Sequence, residues 1–174
     1  MILTGPEIER QRALGRIQID PFAVDQINPN SYNFRLGNTI STYVNDVLDP
    51  RVRQDVVTEE ISSAGILLSP KKIYLGHTLE VMGSDFFVPI IRGRSSTARM
   101  GLFVHVTADL IDIGSHNQWT LQLHAVQPLR IFPGMLIGQV TFWCVEGEIT
   151  LYKGKYQGSL GPRPSEIYKE FTGE

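Results

Sequence analysis

The feature that most constrains this chain is a recurrence of short β-prone runs broken by turn residues. TISTYV, DVVTEEI, GILLSP, HTLEVM, FFVPIIR, WTLQLHAV, LIGQVTFW and ITLYK are each rich in Val, Ile, Leu, Phe or Thr, and clusters of Gly, Pro, Asn and Asp separate them. Many short strands with frequent turns predict an all-β barrel or sandwich with little helix. WTLQLHAV has the clearest period of two. Trp119, Leu121, Leu123 and Ala125 fall on one face, and Thr120, Gln122 and His124 on the other. FPG at 132–134 then supplies a turn before the next strand. The start of the chain differs: Thr4 and Glu7 have the T-x-x-E spacing of a capping box and Gly15 is a stop, which predicts one short N-terminal helix.

With 174 residues, the chain is expected to form one domain with a sizeable core. Its 42% hydrophobic and 20% charged residues are ordinary for a globular protein. A net charge of −2 gives no global pull toward nucleic acid or an anionic membrane. No apolar run is long enough to span a bilayer, and MILTGPEIERQR turns polar too soon for a secretory signal. A cytoplasmic location is the expectation. Cys144 is the one cysteine, so neither an intrachain disulfide nor a thiolate metal cluster can form. Lying in VTFWCVEG, it is expected to be a small core residue.

Against this background RGRSSTAR, residues 92–99, stands out: three arginines, two serines and a threonine between the apolar flanks FFVPII and GLFVHV. Arginine offers a planar fork of donors matched to phosphate, and serine hydroxyls and backbone amides can satisfy the remaining oxygens. A loop cradling phosphate is one reading and a solvated loop the other; the Walker pattern GxxxxGK[ST] is absent. KGKYQGSLGPRP, residues 153–164, is rich in Gly, Pro and Lys with almost nothing to bury. It reads either as a disordered tail or as a flap carrying Lys153, Lys155, Tyr156 and Gln157 onto a ligand.

The run RGRSSTARMGLFVHVTADLIDIG resembles the central motif of the dCTP deaminase branch of the dUTPase superfamily. MILTGPEI, INPNSYNFRLGN, PGMLIGQVTF and GKYQGSLGP resemble that family's start, first motif, later strand and C-terminal flap, in the same order. The resemblance implies a distorted, jelly-roll-like β-barrel over residues 1–152, a flexible flap over 153–174, and a homotrimer with active sites between subunits. It implies that Arg94, Ser95 and Ser96 hold the triphosphate with Lys155 and Tyr156, and that Gln157 is a flap contact. Backbone groups of Val106, Thr107 and Ala108 would read the pyrimidine, and Asp112 would bind the deoxyribose 3′-hydroxyl. Ser95 and Arg99 would be catalytic-site residues, Arg99 from a neighbouring subunit. Mg²⁺ would ride on the phosphates of dCTP or dUTP, with no protein metal cage. The expected reaction is conversion of dCTP to dUTP and ammonia.

Zinc deaminases activate water with an H-x-E…P-C-x-x-C signature, which is absent here, and none of His77, His105, His116 and His124 has cysteine partners. Metal-free members of the resembled family use a glutamate general base in a T-L-E-L pattern. This chain reads TLQL, and Gln122 holds that position. An amide has the acid's size but cannot take up and return a proton. Asn33 also stands where an aspartate is usual, and Leu110 where some deaminases carry arginine. Three functions remain open at this level: a dCTP deaminase in which Gln122 replaces the base, a dUTPase or dCTP pyrophosphatase using Asp112, and a non-catalytic nucleotide binder.

Overall fold

The computed structural model describes residues 1–173. The chain opens with helix α1 (Gly5–Ala13), then β1 (Gln18–Asp20), β2 (Ile27–Asn28), β3 (Ser31–Arg35), β4 (Thr39–Tyr43) and β5 (Val56–Glu60). There follow β6 (Ile66–Leu68), β7 (Tyr74–His77), β8 (Val81–Gly83) and β9 (Phe87–Gly93). Helix α2 (Ser95–Arg99) leads to β10 (Leu102–Phe103), β11 (Thr120–Ala125), β12 (Leu129–Ile131), β13 (Leu136–Cys144) and a last helical turn, α3 (Lys169–Thr172).

The all-β expectation with a short N-terminal helix holds. The strands pair antiparallel in four sheets, ordered β10-β11-β7-β4-β5, β2-β3-β13-β9, β1-β8 and β12-β6. Among the described residues no sheet closes on itself, so the expected barrel is an open assembly of sheets around one core. Strands of two to five residues run out of ladder before they can meet around a barrel; only β9, β11 and β13 are longer. Tyr32, Phe34, Leu121, Leu123 and Phe142 are fully buried at its centre, each side chain worth about 1.5–3 kcal/mol of transfer from water.

Two local expectations need correction. The helix forms, with Pro6 in its first turn, but Thr4 makes no capping bond. Glu7 instead accepts from Arg10 Nη2 (2.7 Å) and Gln11 Nε2 (2.6 Å), because a side-chain cation one turn on outcompetes the neutral backbone donor. Gly15, at φ 71°, ends the helix as expected. Cys144 is exposed rather than core: it closes β13 where the ladder to Phe87 ends and only the bond from its N–H to Met1 O continues.

The motif around Asn33 serves the fold. Glu80 is fully buried and accepts from the backbone N–H (2.9 Å) and the Nε (2.7 Å) of Arg35 and from Gln26 Nε2 (3.3 Å). Asn33 is buried beside it, donating to Asn28 Oδ1 (3.2 Å), while its carbonyl accepts from Gln26. Buried charge survives only with such partners. His77 is likewise structural: it bonds Thr39 Oγ1 and Thr78 O, and burial pushes its pKa down, keeping the ring neutral.

Candidate active site

Strand β11 places the candidate site. Its alternation is as read from the sequence: Leu121, Leu123 and Ala125 are buried, while Thr120, Gln122 and His124 face the other way, half-exposed. Gln122 pairs across the ladder with Leu75 of β7, and Leu75 with Ser41 of β4. Two residues beyond Ser41 lies Tyr43. Gln122, Leu75 and Tyr43 thereby line one wall of a cavity of about 420 Å³, in the range of small-molecule sites.

Ala108, Leu110, Ile111 and Asp112, from the segment 108–112, also line the cavity. Ile91 N donates to Asp109 O (2.8 Å) and Ile111 N to Pro89 O (3.0 Å), so this segment is carried along the edge of β9 and delivers Asp112 to the cavity. The chain then turns at Gly114, whose φ is 88°. A β-carbon there would meet Leu151 Cβ at 2.8 Å and Tyr152 N at 3.0 Å. The final glycine of I-D-I-G is therefore required twice, for a left-handed turn and for the close passage of the C-terminal segment.

That segment roofs the cavity as a strap. Tyr152 N donates to Ile113 O (2.8 Å), Gln118 N to Ser159 O (3.0 Å), and Ser159 N to Asn117 Oδ1 (2.9 Å). Gly161 N donates to Gln118 Oε1 (2.8 Å), Arg163 N to Thr120 Oγ1 (3.0 Å), and Ser165 N to Tyr43 OH (3.1 Å). Most of these bonds run from strap backbone to side chains of the body. That is why ITLYK, expected as a strand, forms none: its one backbone bond to the body is at Tyr152.

The chemistry converges on a few groups. Gln122 Nε2 donates to Thr120 O (3.0 Å), while its Oε1 is buried without a partner. An unmet buried acceptor costs about 1–3 kcal/mol, so the amide is poised to accept from a ligand N–H or O–H. Among the lining residues Asp112 is the one carboxylate and Arg163 the one cation. Arg163 Nη2 donates to Glu166 Oε1 (2.9 Å), and bonds from Lys169 and Arg163 hold the Glu166 carboxyl below the usual carboxylate range. Among the described residues no three His, Cys, Asp or Glu side chains are placed to share a metal ion.

Of the residues singled out in the sequence, Ala108, Leu110, Asp112, Gln122 and Tyr156 meet at this cavity. Arg94, Ser95, Ser96 and Arg99 do not line it. RGRSSTAR, read as a loop, is a helical turn: Arg94 precedes α2 and donates to Leu136 O (3.1 Å), Ser95 and Ser96 are exposed, and Arg99 Nη1 donates to Ser95 O (3.3 Å). Val106 and Thr107 are exposed outside the cavity lining. Lys155 is held by Glu170 Oε1 (2.9 Å), which raises its pKa, and Gln157 by Gly114 O (2.8 Å). Sequence reasoning missed Tyr43, Arg163 and Ser165. Only the path of the strap brings them together, and no spacing signals it.

Comparison with known proteins adds three findings. A family model described as dCTP deaminase-like matches residues 2–145, ending before the strap. A relative from Hathewaya histolytica named "dCTP deaminase, dUMP-forming" is 45% identical over 172 residues, 98% of this chain and 99% of its own. One of the same name from Clostridium botulinum (strain Alaska E43 / Type E3) is 46% identical over 173 residues, again covering 98% and 99%. The crystal structure of 2'-deoxycytidine 5'-triphosphate deaminase from Agrobacterium tumefaciens superposes with a TM-score of 0.64 at 21% identity, over 81% of this chain and 47% of that one, which supports the fold. The relatives' names give dUMP, against the expectation of dUTP as product.

Proposed function

The chain belongs to the dCTP deaminase-like family, and on that premise we propose that it binds dCTP and directs two hydrolyses of it toward dUMP. The observation that carries this reading is the meeting of Gln122 and Asp112 on one cavity. The expectation of dUTP as end product is corrected to dUMP, as in the relatives' names. In one hydrolysis water adds at C4 of cytosine, the C4–N4 bond breaks and ammonia leaves. In the other, water attacks the α-phosphorus, the bond to the bridging oxygen breaks and pyrophosphate leaves.

Each half draws on a different residue. With Nε2 committed to Thr120 O, Gln122 can accept through Oε1 from the attacking water or from the amino group of cytosine. It orients but carries no proton, and a missing general base costs about 10²–10⁴ in rate. Asp112 accepts from the deoxyribose 3′-hydroxyl and orients the water at the α-phosphorus. Its carboxylate is intact, so this chain favours the pyrophosphate-releasing half.

The backbone of Val106–Ala108 reads the base, and Gln157 helps seat the strap. Arg94, Ser95, Ser96 and Arg99 hold the phosphates from a second copy, with Lys155 and Tyr156 of the strap. A lone cavity carboxylate suits Mg²⁺ bound mainly through phosphate oxygens and water; so bound, the ion would neutralise phosphate charge. Cytoplasmic nucleotide metabolism is the setting this implies.

Replacing Gln122 tests the assignment. Gln122→Glu should raise ammonia release from dCTP at least about tenfold, and Asp112→Asn, with Gln122 retained, should abolish pyrophosphate release. Ammonia at background from a Gln122→Glu variant that still binds dCTP would remove residue 122 from the chemistry.

A further inference from the structure

The strap contributes more than a roof. Its bonds follow the body in order, Tyr152 against Ile113, Ser159 against Gln118, Arg163 against Thr120 and Ser165 against Tyr43. The cavity consequently has two ends. One holds Asp112, next to Ile113 and Tyr152. The other holds Gln122, two residues along β11 from the Thr120 hydroxyl that pins Arg163. Arg163 is the single cation on the lining, and its side chain is 45% exposed. Among the described residues its side chain bonds only Glu166, through Nη2, so one N–H of five is committed there. Pro162 and Pro164 restrict the backbone on either side.

We infer that Arg163 is a base-recognition residue, its free guanidinium N–H groups donating to the carbonyl edge of a pyrimidine seated against Gln122. This rests on the reading above that the cavity takes dCTP. A carboxylate accepts from hydroxyls, so the Asp112 end suits the sugar and leaves the Gln122 end to the base. There the two side chains are complementary. Gln122 Oε1 offers an acceptor to an amino or imino N–H, and Arg163 offers donors to a ring carbonyl or unprotonated ring nitrogen. The bond to Glu166 holds the guanidinium in place while leaving its other edge open, as a positioning carboxylate does for a planar fork. Leu75, Tyr43 and Pro164 bound this end, and one acceptor beside one fork of donors matches the N–H and carbonyl pattern of a pyrimidine edge.

Competition binding with two ligands tests this, using the full chain and its Arg163→Met and Arg163→Lys variants. 2′-Deoxycytidine carries the base without phosphate, and dCTP carries both. Arg163→Met should weaken both ligands by a similar factor of five or more. Arg163→Lys, which keeps the charge but loses the fork, should recover less than half of that loss on a logarithmic scale. Melting temperatures within a few degrees of the unmodified chain would show that the strap is seated. Unchanged affinities would overturn the inference while leaving dCTP binding standing. Loss confined to dCTP would put Arg163 on the phosphates and overturn it too. An unmodified chain that binds neither ligand would remove the functional reading itself, and the inference with it.

Discussion

At Gln122 the polar face of β11 presents an amide whose nitrogen is committed to Thr120 and whose oxygen lacks a partner. Its orientation was legible in TLQL, because a period of two assigns a face without any knowledge of neighbours. The same logic failed at Cys144. An apolar neighbourhood in sequence says nothing about where a strand runs out of partners, and Cys144 sits at that point. Arg94 shows a third case. Its residue type pointed to an anion, and in the single chain its guanidinium is used once, on Leu136 O, so it retains donors for phosphate. We expect Arg94→Ala to weaken Mg²⁺·dCTP binding by about 1.5–3 kcal/mol, the worth of a charge-assisted contact. Calorimetric titration of both proteins measures it, and equal affinities would take Arg94 off the nucleotide.

At the scale of elements, the strands with strong periodicity were readable and the strap was not. β4, β5, β9, β11 and β13 fall where apolar runs were seen. β3 and β7 were missed as strands, since SYNFR and YLGH mix polar or glycine residues that are buried because both faces are covered. The strap's position depends on Asn117, Gln118, Thr120 and Tyr43 receiving its N–H groups, which composition cannot reveal. Among the described residues none of the strap belongs to the hydrophobic core, and Lys153, Gly158 and Leu160 are exposed, the features of a locally weak element. Limited proteolysis should therefore cut within residues 153–164 of the free chain, and saturating dCTP with Mg²⁺ should slow that cleavage several-fold. Cleavage indifferent to nucleotide would leave the strap without a role in binding.

At the scale of the whole molecule, the cavity and the RGRSSTAR helix do not meet within one chain, although the proposed reaction needs both. The second copy proposed above would resolve this. Met100 and Phe103 are exposed beside that helix, and Val126, also exposed, is tied to it by the bond from its N–H to Gly101 O (2.9 Å), an apolar surface suited to another subunit. Light scattering is expected to give about three times the 19.5 kDa chain mass, whereas a monomer at micromolar concentration would rule out a shared site. The central claim, two hydrolyses of dCTP directed by one cavity, is tested most directly by product stoichiometry. Incubated with dCTP and Mg²⁺, the Gln122→Glu variant should release ammonia and pyrophosphate in equal amounts and leave dUMP, while the unmodified chain releases pyrophosphate in excess over ammonia. Ammonia accumulating with dUTP and no pyrophosphate would contradict the account.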